Sequence, residues 1–389
     1  MDVGRVAQAA TRSAKIASAW AKPRFRSERP LWLFGGASGR SYSDNSRITH
    51  QQVLRSRKDV MPFWVIDEDS SDLPTVAAAG PYVIRGSAWA HQLARSAQVI
   101  VFSHGVQDVP GMMWNHDAVR VRLGHGLTAF GKTKGKTPRS IKRMTKAIAL
   151  APVASVMEQD HKVAWGFPRE KLPITGLPRW DAMLVEQAAV PPRERPLVFY
   201  APTSRPWHTA KDASPTRALK PIYDLLSSPR LRSMLDAGYF ELAVYFHQIT
   251  RYRFGTFDWL PAGVRLVEQE AVLPSLIASA SMVISDYSSI LWDALYLDTP
   301  VMFFQFDRSE HESNRGSYID LQSRLFGPNV ATSEQVLDEI DLAIDDGFQM
   351  LDWKDDREAW QQRAFAFRDA NNAQRVIMAV DEQLSARPR

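Results

Sequence analysis

The sequence predicts an α/β protein made of two doubly wound domains, each built on a parallel sheet. Three observations lead there. Short apolar runs rich in Val, Ile and Phe recur along the 389 residues, their hydrophobicity is continuous rather than alternating, and helix-like segments separate them. Strands covered by helices on both faces read this way, and regular strand–helix alternation is the mark of a doubly wound sheet. In the first half the runs are Leu31–Phe34, Phe63–Ile66, Tyr82–Ile84, Val99–Phe102, Val119–Leu123 and Ala154–Met157. In the second they are Leu197–Tyr200, Leu242–Phe246, Val264–Val267, Met282–Ile284 and Val301–Phe304. The segment Ala188–Pro196, broken by Pro191, Pro192 and Pro196, reads as the hinge. The expected division is a basic segment 1–29, a first domain 30–190 and a second domain 191–389 that ends in helices from Ser333 onward. Two such domains facing one another would place the carboxyl ends of both sheets, where ligands bind, across a cleft.

Composition narrows the chemistry. Hydrophobic residues are 45% and charged residues 23%, which excludes a disordered or fibrous chain. The absence of cysteine excludes disulfide frameworks, thiolate metal sites and cysteine nucleophiles, and fits a reducing compartment. The longest nearly apolar run, Ala147 to Met157, contains Pro152 and falls short of the ~20 residues that a bilayer span needs.

The charge of +5 is unevenly spread. Residues 1–30 hold seven Lys or Arg against Asp2 and Glu28, on a stretch whose Val3, Val6, Ala10, Ile16 and Trp20 recur at helical spacing. A basic helix of this kind fits an anionic membrane surface or a solvated terminus equally. Between Ala118 and Met157 there are nine basic residues and no acid, Lys132, Lys134 and Lys136 among them. Such a block favours a phosphate-rich partner. Without aromatic residues interleaved after Phe130 it lacks the stacking platform of a nucleic-acid binder, so no nucleic acid is expected.

Four clusters at strand ends carry candidate chemistry. In Leu123-Gly124-His125-Gly126, flanking glycines expose an imidazole that can accept a hydroxyl proton; Ser103-His104-Gly105 repeats the form, and either alone reads as a structural loop histidine. In Gly176-Leu177-Pro178-Arg179-Trp180-Asp181, Arg179 offers a fork for phosphate, or pairs with an acid in a turn, and Asp181 could cap the next helix. In Tyr200-Ala201-Pro202-Thr203-Ser204-Arg205, the hydroxyls and Arg205 suit phosphoryl oxygens or a helix cap. The most specific is Ile284-Ser285-Asp286-Tyr287-Ser288-Ser289-Ile290, where Ser288 and Ser289 fall at a helix N-terminus suited to an anion. Phe246-His247 ends another run, and Asp67-Glu68-Asp69 reads as ordinary strand-end acids rather than a metal site.

In this order, the set resembles the CDP-glycerol glycerophosphotransferase family of teichoic-acid primases, polymerases and capsule enzymes. The resemblance rests on His125-Gly126 with Lys132 or Lys134 downstream, Gly176–Asp181, Tyr200–Thr203, His247, Ser285–Ser289 with Asp293, Pro300, Phe306-Asp307, Arg315-Gly316 and Tyr318, with Gly39–Asn45 matching an early glycine–asparagine loop. It spans roughly residues 30–340, and Gly124 stands where that family usually has Trp. The resemblance implies a GT-B-like fold of two Rossmann-like domains and transfer of an alditol phosphate, glycerol phosphate foremost, from a CDP-alditol to a hydroxyl of a glycan or polyol-phosphate acceptor, lipid-linked or in a capsule. CMP leaves, the CDP-alditol is a substrate, and neither a cofactor nor a metal is required. His125 is then the base and His247 its catalytic companion; Arg179, Thr203, Ser204, Arg205, Asp286, Ser288 and Ser289 hold the donor; Lys132, Lys134 and Lys136 meet the acceptor. The expected location is cytoplasmic, peripheral on the inner face of the cell membrane through the N-terminal helix. A nucleotide-sugar glycosyltransferase, or a non-catalytic polymer-binding relative, is the alternative on the same fold.

Overall fold

The computed structural model describes residues 23–132, 138–205, 207, 219–247, 250–252, 257–268 and 272–387. The expected basic helix near the N-terminus, Lys134 and Lys136 lie outside them. The chain forms two compact units: the first comprises residues up to Leu127, 136–182 and 366–389, the second 128–135 and 183–365.

The first unit carries β1 (Leu31–Gly35), β2 (Met61–Ile66), β3 (Tyr82–Ile84), β4 (Val99–Phe102) and β5 (Val119–Arg122) in one parallel sheet of order β3-β2-β1-β4-β5. Every residue of β1 and β4 is buried, which is why their sequences run apolar without alternation. Helices Asp44–Ser56, Leu73–Ala79 and Ala88–Ser96 make the crossovers. The second unit carries β6 (Leu197–Tyr200), β7 (Glu241–Tyr245), β8 (Val264–Val267), β9 (Met282–Ser285), β10 (Val301–Phe304) and β11 (Asn329–Val330), parallel and ordered β8-β7-β6-β9-β10-β11. The strand order reverses at β1/β4 in the first sheet and at β6/β9 in the second. In doubly wound folds that reversal opens a crevice at the carboxyl ends of the strands. The two-domain, parallel-sheet, GT-B-like architecture expected from the sequence is the one observed.

Three details depart from expectation. Ala154–Met157 is not a strand: Ser155 accepts the Glu158 N–H and starts the helix Val156–Ala164, because a Ser-x-x-Glu pattern satisfies the first turn of a helix. Val153 alone bridges to Ile174. The chain leaves the first unit at Ala182, inside the helix Arg179–Ala189, rather than at the proline segment. The last helix, Asn372–Ser385, belongs to the first unit and not the second. Its Val376, Ile377 and Val380 pack in the core with Trp32, Phe34 and Val121. Its first turn is capped by Asp181, which accepts the N–H groups of Asn372 (3.0 Å) and Ala373 (2.8 Å). Asp181 therefore caps the last helix of the chain, and its burial raises its pKa to about 6.

Candidate active site

The first unit builds its site from loops after β1, β4 and β5. Gly124 adopts φ +72°, a conformation that side chains disfavour, and this turns the following His125 outward at the end of β5. The loop is held from outside by a chain of hydrogen bonds. Asn45 Nδ2 donates to Gly124 O (3.0 Å), the Arg179 N–H donates to Asn45 Oδ1 (2.9 Å), and Arg179 Nη1 donates to His125 O (2.9 Å). Arg179 Nη1 also lies 3.5 Å from Asp44 Oδ1, with both side chains mostly buried. Arg179 is thus engaged in fixing the His125 loop, which is the turn-pairing alternative for this residue rather than the phosphate fork.

His125 presents its imidazole to solvent at the rim, and neither ring nitrogen takes a hydrogen bond among the described residues. Loss of water on the side of the ring that packs against the protein, then the neighbouring His104, Arg122 and Arg179, lower its proton affinity below the ordinary histidine value against the opposing pull of Asp44. A neutral imidazole with a free nitrogen can take a proton from a hydroxyl. Its ring lies parallel to that of His104, with centroids 4.9 Å apart.

The second unit gathers four loops at the carboxyl ends of β6, β7, β9 and β10. At the β6/β9 reversal Asp286, fully buried, accepts the Thr203 N–H (2.9 Å), the Thr203 hydroxyl and the Tyr287 N–H (2.7 Å). Arg205 pairs with Asp286 through Nη1 and grips Asp307 with Nε and Nη2, both at 2.9 Å. Phe306 lies under the guanidinium at 4.9 Å. Burial pushes the Asp286 carboxyl up, but Arg205 and the donors from Thr203 and Tyr287 outweigh it and hold its pKa below the usual range. Arg205 in turn is raised by Asp286 and Asp307 in spite of its burial. Tyr287 adds a hydroxyl bond to Asp307 (3.2 Å), and its ring stacks at 3.6 Å on buried His311, whose Nε2 meets Phe130 O at 3.0 Å.

This arrangement revises three expected roles. Thr203, Arg205 and Asp286 spend their polar atoms on one another and on Asp307, so they form a bonded frame for the loops after β6, β9 and β10. Ser204, Ser288 and Ser289 are only partly buried and sit on that frame. Ser289 is the N-cap residue of the helix Ile290–Tyr296, as expected, and the Ile290 N–H approaches Ser288 Oγ at 3.4 Å. His247 follows β7, and its carbonyl accepts the amides of Thr250 and Arg251. Lys132, exposed, donates its N–H to Gly316 O (3.2 Å), and its ammonium lies 5.7 Å from the Tyr318 ring centroid. Asp67 is paired with Arg85 at 2.7 Å, and among the described residues no three His, Asp or Glu side chains are placed to share a metal.

Residues 17–382 match the model of the CDP-glycerol:poly(glycerophosphate) glycerophosphotransferase family. The chain belongs to that family. It is 20% identical to the minor teichoic acid biosynthesis protein GgaB of Bacillus subtilis over 91% of this chain and 40% of that protein. It is 23% identical to the teichoic acid poly(glycerol phosphate) polymerase of the same organism over 80% and 44%. A teichoic acid glycerol-phosphate transferase of Staphylococcus aureus matches at 23% identity over 56% of each. The chain thus spans about half the length of the curated relatives it matches. Among solved structures, the wall teichoic acid polymerase TagF superposes with a TM-score of 0.74 at 17% identity, over 98% of this chain and 97% of that one. A UDP-N-acetylglucosamine 2-epimerase of Listeria monocytogenes shares the fold at a TM-score of 0.57 and 12% identity, over 94% and 98%.

Within this family member the residues legible in advance are those at strand ends. Two contributors escaped sequence reading. Asp108 is a buried carboxylate in the loop after β4, signalled only by its place four residues beyond His104. His311 sits beneath Tyr287 with no glycine or strand end to mark it. Asn45, by contrast, was visible only as one letter of the Gly39–Asn45 loop.

Proposed function

We propose that this protein transfers an alditol phosphate, glycerol phosphate foremost, from a CDP-alditol to a hydroxyl of a glycan or polyol-phosphate acceptor. The acceptor oxygen attacks the phosphorus of the alditol-phosphate unit while His125 Nδ1 or Nε2 takes the hydroxyl proton. The bond from that phosphorus to the bridging oxygen breaks, and CMP carries the electron pair away. The observation that carries the reading is His125 itself: a neutral, solvent-facing imidazole with unengaged nitrogens, on a loop fixed by Asn45 and Arg179. Family membership supports the donor class, as do structures of TagF soaked with CDPG.

On the donor side, Ser204, Ser288 and Ser289 are the hydroxyls free to meet phosphoryl oxygens, with His247 on the neighbouring loop to oppose the charge that builds on departing CMP. For the acceptor, support comes from exposed Lys132 in the second unit and, separately, from exposed Lys142, Arg143 and Lys146 on the helix Pro138–Ala147 of the first, whose charge suits a polyanion or the anionic inner face of a membrane. No helix among the described residues is long and apolar enough to cross a membrane. A donor panel tests the reading: release of CMP from CDP-glycerol or CDP-ribitol is expected. Release of UDP from UDP-sugars with none of CMP would replace it by a glycosyltransferase.

A further inference from the structure

A histidine acting as a base ordinarily has its ring held by a partner on the second nitrogen, most often a carboxylate. His125 has no such partner among the described residues, so something else must fix the plane of its ring. We infer that His104 is the positioning residue for His125, holding the imidazole of the base in place by parallel stacking. This rests on the reading of His125 as the base.

His104 is placed with unusual firmness for a loop residue. Its own ring accepts the Ala37 N–H on Nδ1 at 3.1 Å, so Nδ1 is the acceptor nitrogen and Nε2 carries the ring hydrogen. Its backbone is tied by the fully buried Asp108 carboxylate, which accepts the N–H groups of His104 (2.8 Å) and Gly105 (3.2 Å) through Oδ2 and that of Ser38 (2.8 Å) through Oδ1. One carboxylate therefore joins the loop after β4 to the loop after β1, across the reversal in strand order. The latter loop is strained to make the fit: Ala37 has φ +47° and Ser38 φ +56°, left-handed conformations that side chains disfavour and that persist only where surroundings enforce them. What that strain secures is the amide of Ala37 on the ring of His104. The ring then lies parallel to His125, its centroid 4.9 Å away.

Two ways of holding the ring are separable by substitution in the full chain. His104→Asn keeps an acceptor oxygen where Nδ1 stands, so the Ala37 amide stays bonded, but removes the stacking ring. His104→Phe keeps a stacking ring and removes the acceptor. With CDP-glycerol as donor, His104→Asn is expected to lower kcat roughly ten- to a hundredfold with donor KM unchanged, as misplacement of a reacting group does. His104→Phe is expected to stay within about threefold of the parent enzyme by the same reasoning. In His104→Asn the acid limb of the kcat profile moves to higher pH, since water returns to the His125 ring while Asp44, Arg122, Arg179 and Asp108 keep their charges around it. Thermal unfolding of both variants serves as the control for folding. Parent-like kcat in His104→Asn, in an enzyme that loses turnover on His125→Ala, would overturn the inference alone. So would a His104→Phe variant as slow as His104→Asn while equally folded, because the amide bond and not the stack would then be what matters. Parent-like turnover in His125→Ala would instead remove the base assignment, and the positioning role with it.

Discussion

At the reversal between β1 and β4 the first unit places two stacked imidazoles and a carboxylate, Asp108, that is satisfied by backbone amides. At the matching reversal between β6 and β9 the second unit places Asp286, Arg205 and Asp307, a buried ion cluster closed by Thr203 and Tyr287. The first five strands follow the same order, β3-β2-β1-β4-β5 against β8-β7-β6-β9-β10, with β11 added at the edge of the second sheet, so topology supplies the same reversal twice. The side chains give each crevice a different task. The first is held by ring stacking and by amide bonds to Asp108. The second is held by buried ion pairs, with Arg205 between Asp286 and Asp307.

That contrast breaks most visibly at Arg205. Arg205→Met leaves Asp286 and Asp307 buried together without their cation, and stability should fall by about 3–5 kcal/mol in urea unfolding. The loss should shrink on acidification, because both carboxyls then take protons more readily in the folded state than in the unfolded one. A variant as stable as the parent would show the cluster to be dispensable. The first unit carries its own pH sensitivity in His50, whose burial depresses its pKa to about 3 while its Nδ1 meets the Tyr42 hydroxyl at 2.9 Å. The unfolded chain binds that proton near 6.5, so stability is complete above 6.5 and declines as pH falls toward 3, at most by about 1.4 kcal/mol per unit. Asp181, raised to about 6, acts in the opposite sense, since the folded state takes its proton first as pH falls. His50→Leu should therefore leave hydrogen exchange of the β1 and β4 amides slowing, not quickening, between pH 6 and 4, once corrected for intrinsic rates. The smallest effect is expected at Gly124. A Cβ there meets no atom within 4 Å, so Gly124→Ala suffers only its φ of +72°, about 1 kcal/mol. Turnover should drop severalfold as the His125 loop relaxes, and an unchanged rate would show that the loop tolerates another path.

Much of this was legible because buried parallel strands write themselves as unbroken apolar runs. Val99–Phe102 and Val301–Phe304 stand in the structure as they do in the sequence. Candidate residues were legible where strand, glycine and polar residue meet in a few letters, as at His125 and Ser288. What sequence could not show was which polar atoms are already used. Arg179 and Arg205 read alike as phosphate ligands, and only folding reveals one bonded to the His125 carbonyl and the other enclosed by two carboxylates. Long-range capping was equally hidden: Asp181 serves a helix that begins at Asn372. The repeated His-Gly after β4 reads from sequence as a structural loop histidine, and only folding sets its ring parallel to that of His125.

The division of labour between the two crevices is tested most directly by measuring donor affinity and turnover together, in the full chain. His125→Ala should bind CDP-glycerol with the parent dissociation constant and release CMP roughly a hundred- to ten-thousandfold more slowly. The paired Ser288→Ala, Ser289→Ala variant should lose donor affinity. A His125→Ala enzyme that turns over normally, or serine variants that bind the donor as tightly as the parent, would contradict the account.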